Sequence, residues 1–368
     1  MSAPLIGLVG SGGSVGGAAL ALLRQRPGLR LRCGQRRPQV MPATPETRRL
    51  DIFDTAQLAT FCEGCQVVLN CAGPSWLIGE RVARAAHQAG AAYVDAFGNA
   101  ALLTSLQGVD RPSIIGAGVF PGLTALLPRW LAHQDLERPT HLRVLAGGRE
   151  PCSNAGGADL LLSSLGGFGI PNAHWCDDRV QPLVLAPGAE ELPGFPERVH
   201  RSPYLTDELQ HLAQALGLRE ASFCNVFSSP AVPALIASQC QRLSQSHAPH
   251  TLQEAVAQLV TAADLELQGR TPYYRLVVEL EGWRSSRPCC LRAVLRSRDS
   301  YGLSAAVAVC ATVHLLENDD WHGAGWAAQV LQPDTVVDAI RRHPACDALS
   351  LVELAGQQAR DLSEEGSL

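Results

Sequence analysis

The apolar run Leu5–Val9 leads straight into Gly10-Ser11-Gly12-Gly13-Ser14-Val15-Gly16 and then into an Ala/Leu stretch, Ala18–Leu23. This succession restricts the fold more tightly than any other feature of the chain. A short continuous apolar run reads as a strand buried on both faces of a parallel sheet. The Ala/Leu stretch reads as a helix, and the glycine turn leaves the N–H groups of its first turn facing outward. Strand, glycine turn and helix in that order predict a dinucleotide site. Gly10 permits the sharp turn, and Gly12 and Gly13 let backbone approach a pyrophosphate with no Cβ between. Gly16 lets the helix lie close to the strand. The spacing is G-x-x-G-x-x-G through Gly10, Gly13 and Gly16, with Gly12 additional.

The next apolar run, Leu29–Cys33, is the second strand. A site for NAD places Asp or Glu at its end to bind the ribose 2′-hydroxyl. Here the strand ends in Gly34-Gln35-Arg36-Arg37. No carboxylate stands there to repel a 2′-phosphate, and two guanidiniums are placed to pair with one. The expected cofactor is NADPH.

The alternation continues. Val67–Asn70 reads as a strand running into Cys71-Ala72-Gly73-Pro74, and Glu80–Ala89 reads as a helix closed by Gly90. Ala91–Asp95 and Ser113–Gly116 are further strands, the first closed by Phe97-Gly98 and the second leading into Ala117-Gly118-Val119. Repeated strand–helix units predict an α/β fold, a Rossmann-type doubly wound parallel sheet with its ligand beyond the carboxyl ends of the strands. Cys71, Ala72, Gly73, Pro74, Asp95, Gly98 and Gly118 all fall at such ends and are expected to line the cofactor cleft.

Composition bounds the rest. The chain has 368 residues, long enough for more than one domain, and a net charge of −5 with no concentrated basic run. Nucleic-acid and membrane-surface roles are therefore not expected. Met-Ser-Ala-Pro enters the first strand without a basic lead or cleavage site, and no apolar run reaches about 18 residues unbroken. The 12 cysteines stand singly except for Cys62/Cys65 and Cys289/Cys290. One C-x-x-C with no second ligand pair does not make a zinc site, so no metal is expected. The cysteines read as small buried residues of a cytoplasmic protein.

Asn70-Cys-Ala-Gly-Pro74, Gly79-Glu80 and Ala89-Gly-Ala-Ala-Tyr-Val-Asp95, following the glycine turn, resemble the amino-terminal domain of the saccharopine dehydrogenase family. Gly116–Leu123 is similar to that family's crossing into its second domain. The resemblance covers about residues 5–130. The chain departs from it at Ile78, where the family often has an aromatic residue, and at Asn99, where it often has an acid. Within the family the chain looks most like the stand-alone thiazolinyl imine reductases of siderophore assembly lines, such as that of enantio-pyochelin. That resemblance implies NADPH reduction of a thiazoline C=N to a thiazolidine, on an intermediate tethered to the carrier protein of a nonribosomal peptide synthetase.

Beyond residue 120 the pattern weakens. Leu142–Ala146, Tyr273–Leu280 and Leu291–Arg296 read as strands, the last two antiparallel, with a Gly/Ser/Asn-rich segment, Cys152–Gly169, between the first and second. Residues 121–300 are expected to form an α+β lobe for substrate binding and homodimer formation. Residues 301–368, with a helix over Leu303–Leu315 and another from Pro333, should pack back on the domain of residues 1–120. Imine reduction needs one proton donor. His174 in an aromatic loop, Asp159, Glu80 and Tyr273 are the candidates. A satisfied structural histidine is the plain alternative for His174, helix capping the plainer reading of Asp159 and a helix-dipole contact that of Glu80, and only one of Tyr273 and Tyr274 should face the core. Two other functions fit the same residues. One is a saccharopine- or lysine-type dehydrogenase, with Arg149 as its carboxylate-binding cation; the other is a non-catalytic NADP(H) sensor.

Overall fold

The computed structural model describes residues 3–37, 46–166, 168–245, 249–318 and 320–354. The chain forms two compact units. The first gathers Met1–Leu123, Ala155–Leu162 and Ser300–His343; the second gathers Thr124–Asn154, Ser163–Asp299 and Pro344–Leu368. The expected boundaries at 120 and 300 fall close to two of these divisions. The short piece Ala155–Leu162 was not expected in the first unit.

The first unit is built on β1 (Leu5–Val9), α1 (Ser14–Arg24), β2 (Arg30–Gln35), β3 (Glu46–Arg49), α2 (Thr55–Cys62), β4 (Val67–Asn70), α3 (Ser75–Ile78), α4 (Arg81–Gln88), β5 (Ala92–Asp95), α5 (Ala100–Ser105) and β6 (Ser113–Ile115). A seventh strand, Ala324–Trp326, completes a sheet in the order Ala324–Trp326, β6, β5, β4, β1, β2, β3. Every pairing is parallel. β1, β4 and β5 are buried throughout, which is why they read as unbroken apolar runs. β3 is polar and lies at the edge, so it carries no such signature. The strand order reverses between β1 and β4, and this switch point is where an open parallel sheet takes its ligand.

The helix Ser300–Glu317 covers the expected Leu303–Leu315 and belongs to this unit. Its 18 residues have a mean hydropathy of 1.3, enough by length and composition to cross a membrane, yet 61% of them are buried against the unit. It packs on α1 and on β4 and β5. The helix Pro333–Arg342 lies beside it, with proline at its amino terminus where the missing N–H costs nothing. Phe61, Tyr93, Ile78 and Trp326 are the bulky members of the core.

The second unit carries a mixed sheet. Its main path runs Arg179–Pro182, Ala173–Cys176, Glu220–Phe227, β7 (His141–Arg149), Tyr273–Arg284, Arg287–Ser297 and Cys346–Leu354. Tyr273–Arg284 and Arg287–Ser297 pair antiparallel, as their alternation predicts. Three expectations fail here. His174 is in a strand rather than a loop, because Ala173–Cys176 pairs with Arg179–Pro182 and Glu220–Phe227. Both Tyr273 and Tyr274 are buried, because the sheet is covered on both faces at that point. The stretch 301–368 is not all helical: Cys346–Leu354 is a strand of this sheet.

Glu279 is nearly inaccessible and lies between Arg143 and Arg292, at 2.6 and 2.5 Å. The register places the three directly opposite one another on neighbouring strands. Removing one partner of such a group leaves buried charge without compensation. Glu279→Ala should cost about 3–5 kcal/mol, read as a lower urea midpoint of the transition that reports the second unit.

Candidate cofactor and proton-transfer site

The glycine turn is fastened to the strand ends on either side of it. Gly10 N–H donates to Gly34 O at 2.9 Å and Cys71 N–H donates to Val9 O at 2.9 Å. Gly10 has φ +80°, and a Cβ there would meet Ala72 N at 2.7 Å. The turn that begins at Gly10 is thus pressed against Cys71–Ala72 at the switch point. A Cβ on Gly16 would collide with the Gly10 carbonyl, so Gly16 is required by the turn itself. A Cβ on Gly13 would meet only Gly10 O, at 3.3 Å, so the space beside Gly13 is left for a ligand. Gly13 caps α1 with no side-chain hydrogen bond, which leaves the first-turn amides of Ser14, Val15 and Gly16 without a side-chain cap. A pyrophosphate fits this arrangement.

The side chain of Gln35 lies over Gly12. Arg36 and Arg37 follow at once and are exposed. The parallel register sets Arg49 of β3 opposite Gln35, adding a third guanidinium at the same strand end. Sequence reading missed Arg49, because nothing along the chain marks a four-residue polar edge strand.

The ends of β4 and β5 are braced to each other. The Asp95 carboxylate accepts from Tyr93 OH at 2.5 Å, Asn70 Nδ2 at 3.2 Å and Phe97 N at 2.9 Å. Asn70 Oδ1 in turn accepts from Ala72 N at 3.1 Å. Asp95 therefore spends its oxygens inside the protein, which corrects the expectation that it would face the cofactor. Gly98 (φ +100°) allows its turn to close on Ile115, and Gly118 lets its backbone pack on Ala96 O. Both glycines are explained by packing rather than by contact with a ligand.

Asp159 does not cap a helix. The helix begins at Asn154 and runs to Leu165, hidden in the sequence by two glycines and a polar start, so Asp159 sits well inside it. Its Oδ1 accepts from Ser75 N at 2.6 Å. Its Oδ2 lies where a Cβ on Gly73 would be, at 2.8 Å, so the glycine of the Cys71–Pro74 loop makes room for this carboxyl. Burial, opposed by the Ser75 N–H bond and helped by the charge of Asp95, pushes the Asp159 carboxyl up to about 7. The Ser75 hydroxyl beside it is buried and has no hydrogen-bond partner among the described residues. Within the first unit Asp159 and the glycine turn thus abut the same Cys71–Ser75 loop, and Ser75 enters the site unannounced by the sequence.

The other candidate acids serve elsewhere. Glu80 stands at the amino end of α4, paired with Arg84 at 2.7 Å. In the second unit His174 faces Glu220 at 3.3 Å. The ring of Tyr273 lies under two guanidiniums, Arg149 at 5.2 Å and Arg275 at 5.3 Å; burial and Glu197 push its phenol further above its ordinary range. Arg149, the candidate carboxylate-binding cation, donates to Glu197 at 2.8 Å and to Thr271 O at 3.3 Å. Cys62 and Cys65 are buried, and burial pushes the Cys62 thiol up to about 12. No group of three or more potential metal ligands gathers among the described residues.

Residues 6–112 match the family model described as the saccharopine dehydrogenase NADP binding domain. No curated protein matches the chain as a sequence. Among solved structures, the chain resembles apo saccharopine dehydrogenase (L-Glu forming) from Saccharomyces cerevisiae, with a TM-score of 0.65 and 12% identity over 96% of this chain and 100% of that one. C. glutamicum DAP dehydrogenase in complex with DAP aligns with a TM-score of 0.49 and 15% identity over 93% and 99% of the two chains. An engineered D-amino acid dehydrogenase bound to NADP+ gives 0.49 and 14% over 92% and 99%. The two-domain fold is that of the yeast enzyme. The amino-terminal domain is an NADP-binding domain of the saccharopine dehydrogenase type, and its cofactor is NADPH.

Three outcomes follow from this geometry. Gly13→Val should leave the protein folded but abolish NADPH binding in a fluorescence titration. Gly16→Ala, by contrast, should lower thermal stability, because its Cβ meets protein rather than ligand space. Arg36→Ala/Arg37→Ala should raise KM for NADPH at least about tenfold and leave that for NADH nearly unchanged, since each charge-assisted bond is worth ~1.5–3 kcal/mol.

Proposed function

We propose that the chain is an NADPH-dependent reductase of a cyclic C=N bond, taking a thiazoline to a thiazolidine on a carrier-protein-tethered siderophore intermediate, with Asp159 as the proton donor. The observation that carries this reading is the Asp159 carboxyl, poised at about 7 and held against the loop that follows β4 by the Ser75 amide. NADPH, when bound, supplies the hydride to the imine carbon. The imine nitrogen then needs one proton, and transfer is most effective from an acid whose pKa lies near the working pH. Asp159 meets that requirement, held in place by the Ser75 amide and by the gap at Gly73. The Ser75 hydroxyl is available to hold the reacting group beside the carboxyl.

The resemblance to imine-reducing assembly-line enzymes supplies the substrate class. The engagement of Arg149 by Glu197 supports a substrate without the carboxylates that a lysine- or saccharopine-type dehydrogenase must bind. A carboxyl held half-protonated at neutral pH is of no use to an NADP(H) sensor, which favours turnover. The absence of a disulfide among the described cysteines accords with a cytoplasmic setting.

The test is anaerobic NADPH oxidation with a 2-aryl-thiazolinyl-thiazoline thioester, compared with lysine plus 2-oxoglutarate. Turnover of the thioester alone supports the reading; turnover of the amino acid alone overturns it in favour of the dehydrogenase. The protonated carboxyl is the active form, so kcat should hold below pH 7 and fall as pH rises through about 7. Asp159→Asn keeps an acceptor for Ser75 N–H but has no proton to give. It should lower kcat by about 10²–10⁴-fold and flatten that limb of the profile. An unchanged profile would assign the proton to water.

A further inference from the structure

The two edges of the second unit's main sheet path are built differently. The edge strand Arg179–Pro182 is four residues long and ends in a proline, and its side chains include an arginine. Short length, charge and proline are the usual devices that keep an edge from pairing with another chain. The opposite edge, Cys346–Leu354, is long, lacks proline and carries its charges, Asp347 and Glu353, only near its two ends. It is nine residues long, contains no Lys, Arg, Pro or Gly, and pairs only with Arg287–Ser297 among the described residues. Leu351 and Val352 are 37% and 51% exposed.

We infer that Cys346–Leu354 pairs antiparallel with the same strand of a second copy, about a two-fold axis through Ser350, joining the two sheets into one. The sequence of the strand is complementary to itself in that register. On one face Ala348 meets Val352 of the second copy, a small residue against a larger one, on either side of the Ser350 pair. On the other face Leu349 meets Leu351 of the second copy, so that four leucines gather across the axis. Apolar cross-strand pairs of this kind stabilise a ladder, and the main-chain bonds supply the affinity. The acids at the two ends, Asp347 and Glu353, fall opposite each other, but each brings its own arginine. Asp347 lies 3.3 Å from Arg298 and Glu353 lies 2.7 Å from Arg284. Each end of the joint is then a cluster of two acids and two arginines with no net charge. A symmetric, closed contact of this form ends at two chains and leaves no further edge of the same kind.

Sedimentation velocity and disulfide trapping test the pairing. The wild type should sediment at twice the 39.2 kDa of the chain. Leu351→Lys places two cations beside the axis and should sediment at half that mass with unchanged circular dichroism. Ser350→Cys sets two thiols directly opposite on the axis. It should form a reducible dimer band under mild oxidation, while Leu349→Cys and the wild type do not. A monomeric wild type at all concentrations, or a dimer indifferent to Leu351→Lys with no Ser350→Cys crosslink, overturns the inference. So does a crosslink that forms only after residues 355–368 are deleted, which would assign the edge to the chain's own carboxyl terminus. None of these readouts depends on the substrate or on Asp159.

Discussion

The hydrogen bond from Ser75 N–H to Asp159 spans 84 residues of sequence, and the candidate chemistry depends on it. It holds an ionisable oxygen at a point where burial resists ionisation. The loop it reaches is itself fixed from beneath by Asn70, which the Asp95 carboxylate grips. Asp95 therefore has two effects on the site. It braces the ends of β4 and β5, and its charge makes the neighbouring carboxyl harder to ionise. Were the loop free to move, Asp159 would be hydrated and would behave as an ordinary surface carboxylate.

The local part of this arrangement was legible in the sequence. The strand, turn and helix from Leu5 to Arg24, the C-A-G-P loop and the arginines after β2 are each defined by neighbours along the chain. The reading failed where a residue's role is set by a distant partner. Asp95 looked like a cleft residue because its three donors are visible only in three dimensions. Asp159 looked like a cap because Gly156 and Gly157 obscure the helix that precedes it. Arg149 looked like a free cation until Glu197 was seen beside it. Arg49 left no mark at all, since an edge strand needs no apolar pattern.

The glycines divide along the same line. Gly10, Gly16, Gly73 and Gly118 are each required by a protein atom that occupies the place of a Cβ. At Gly13 the place is almost empty. Glycine spacing alone cannot separate these cases, which is why the departure from strict G-x-G-x-x-G carries little information. What matters is which glycine faces protein and which faces open space.

The assignment of Ser300–His343 to the first unit has a consequence for synthesis. The chain passes from one unit to the other after Leu123, Asn154, Leu162, Asp299 and His343. The parallel sheet thus lacks the strand Ala324–Trp326, and the helix covering α1, until almost the whole polypeptide has left the ribosome. An amino-terminal domain ordinarily folds first as it emerges. Here β6 must wait with one side unpaired for roughly two hundred residues, so a nascent chain stalled before Ala324 would expose an apolar edge to chaperones. A fragment cut at the apparent domain boundary would carry the same defect.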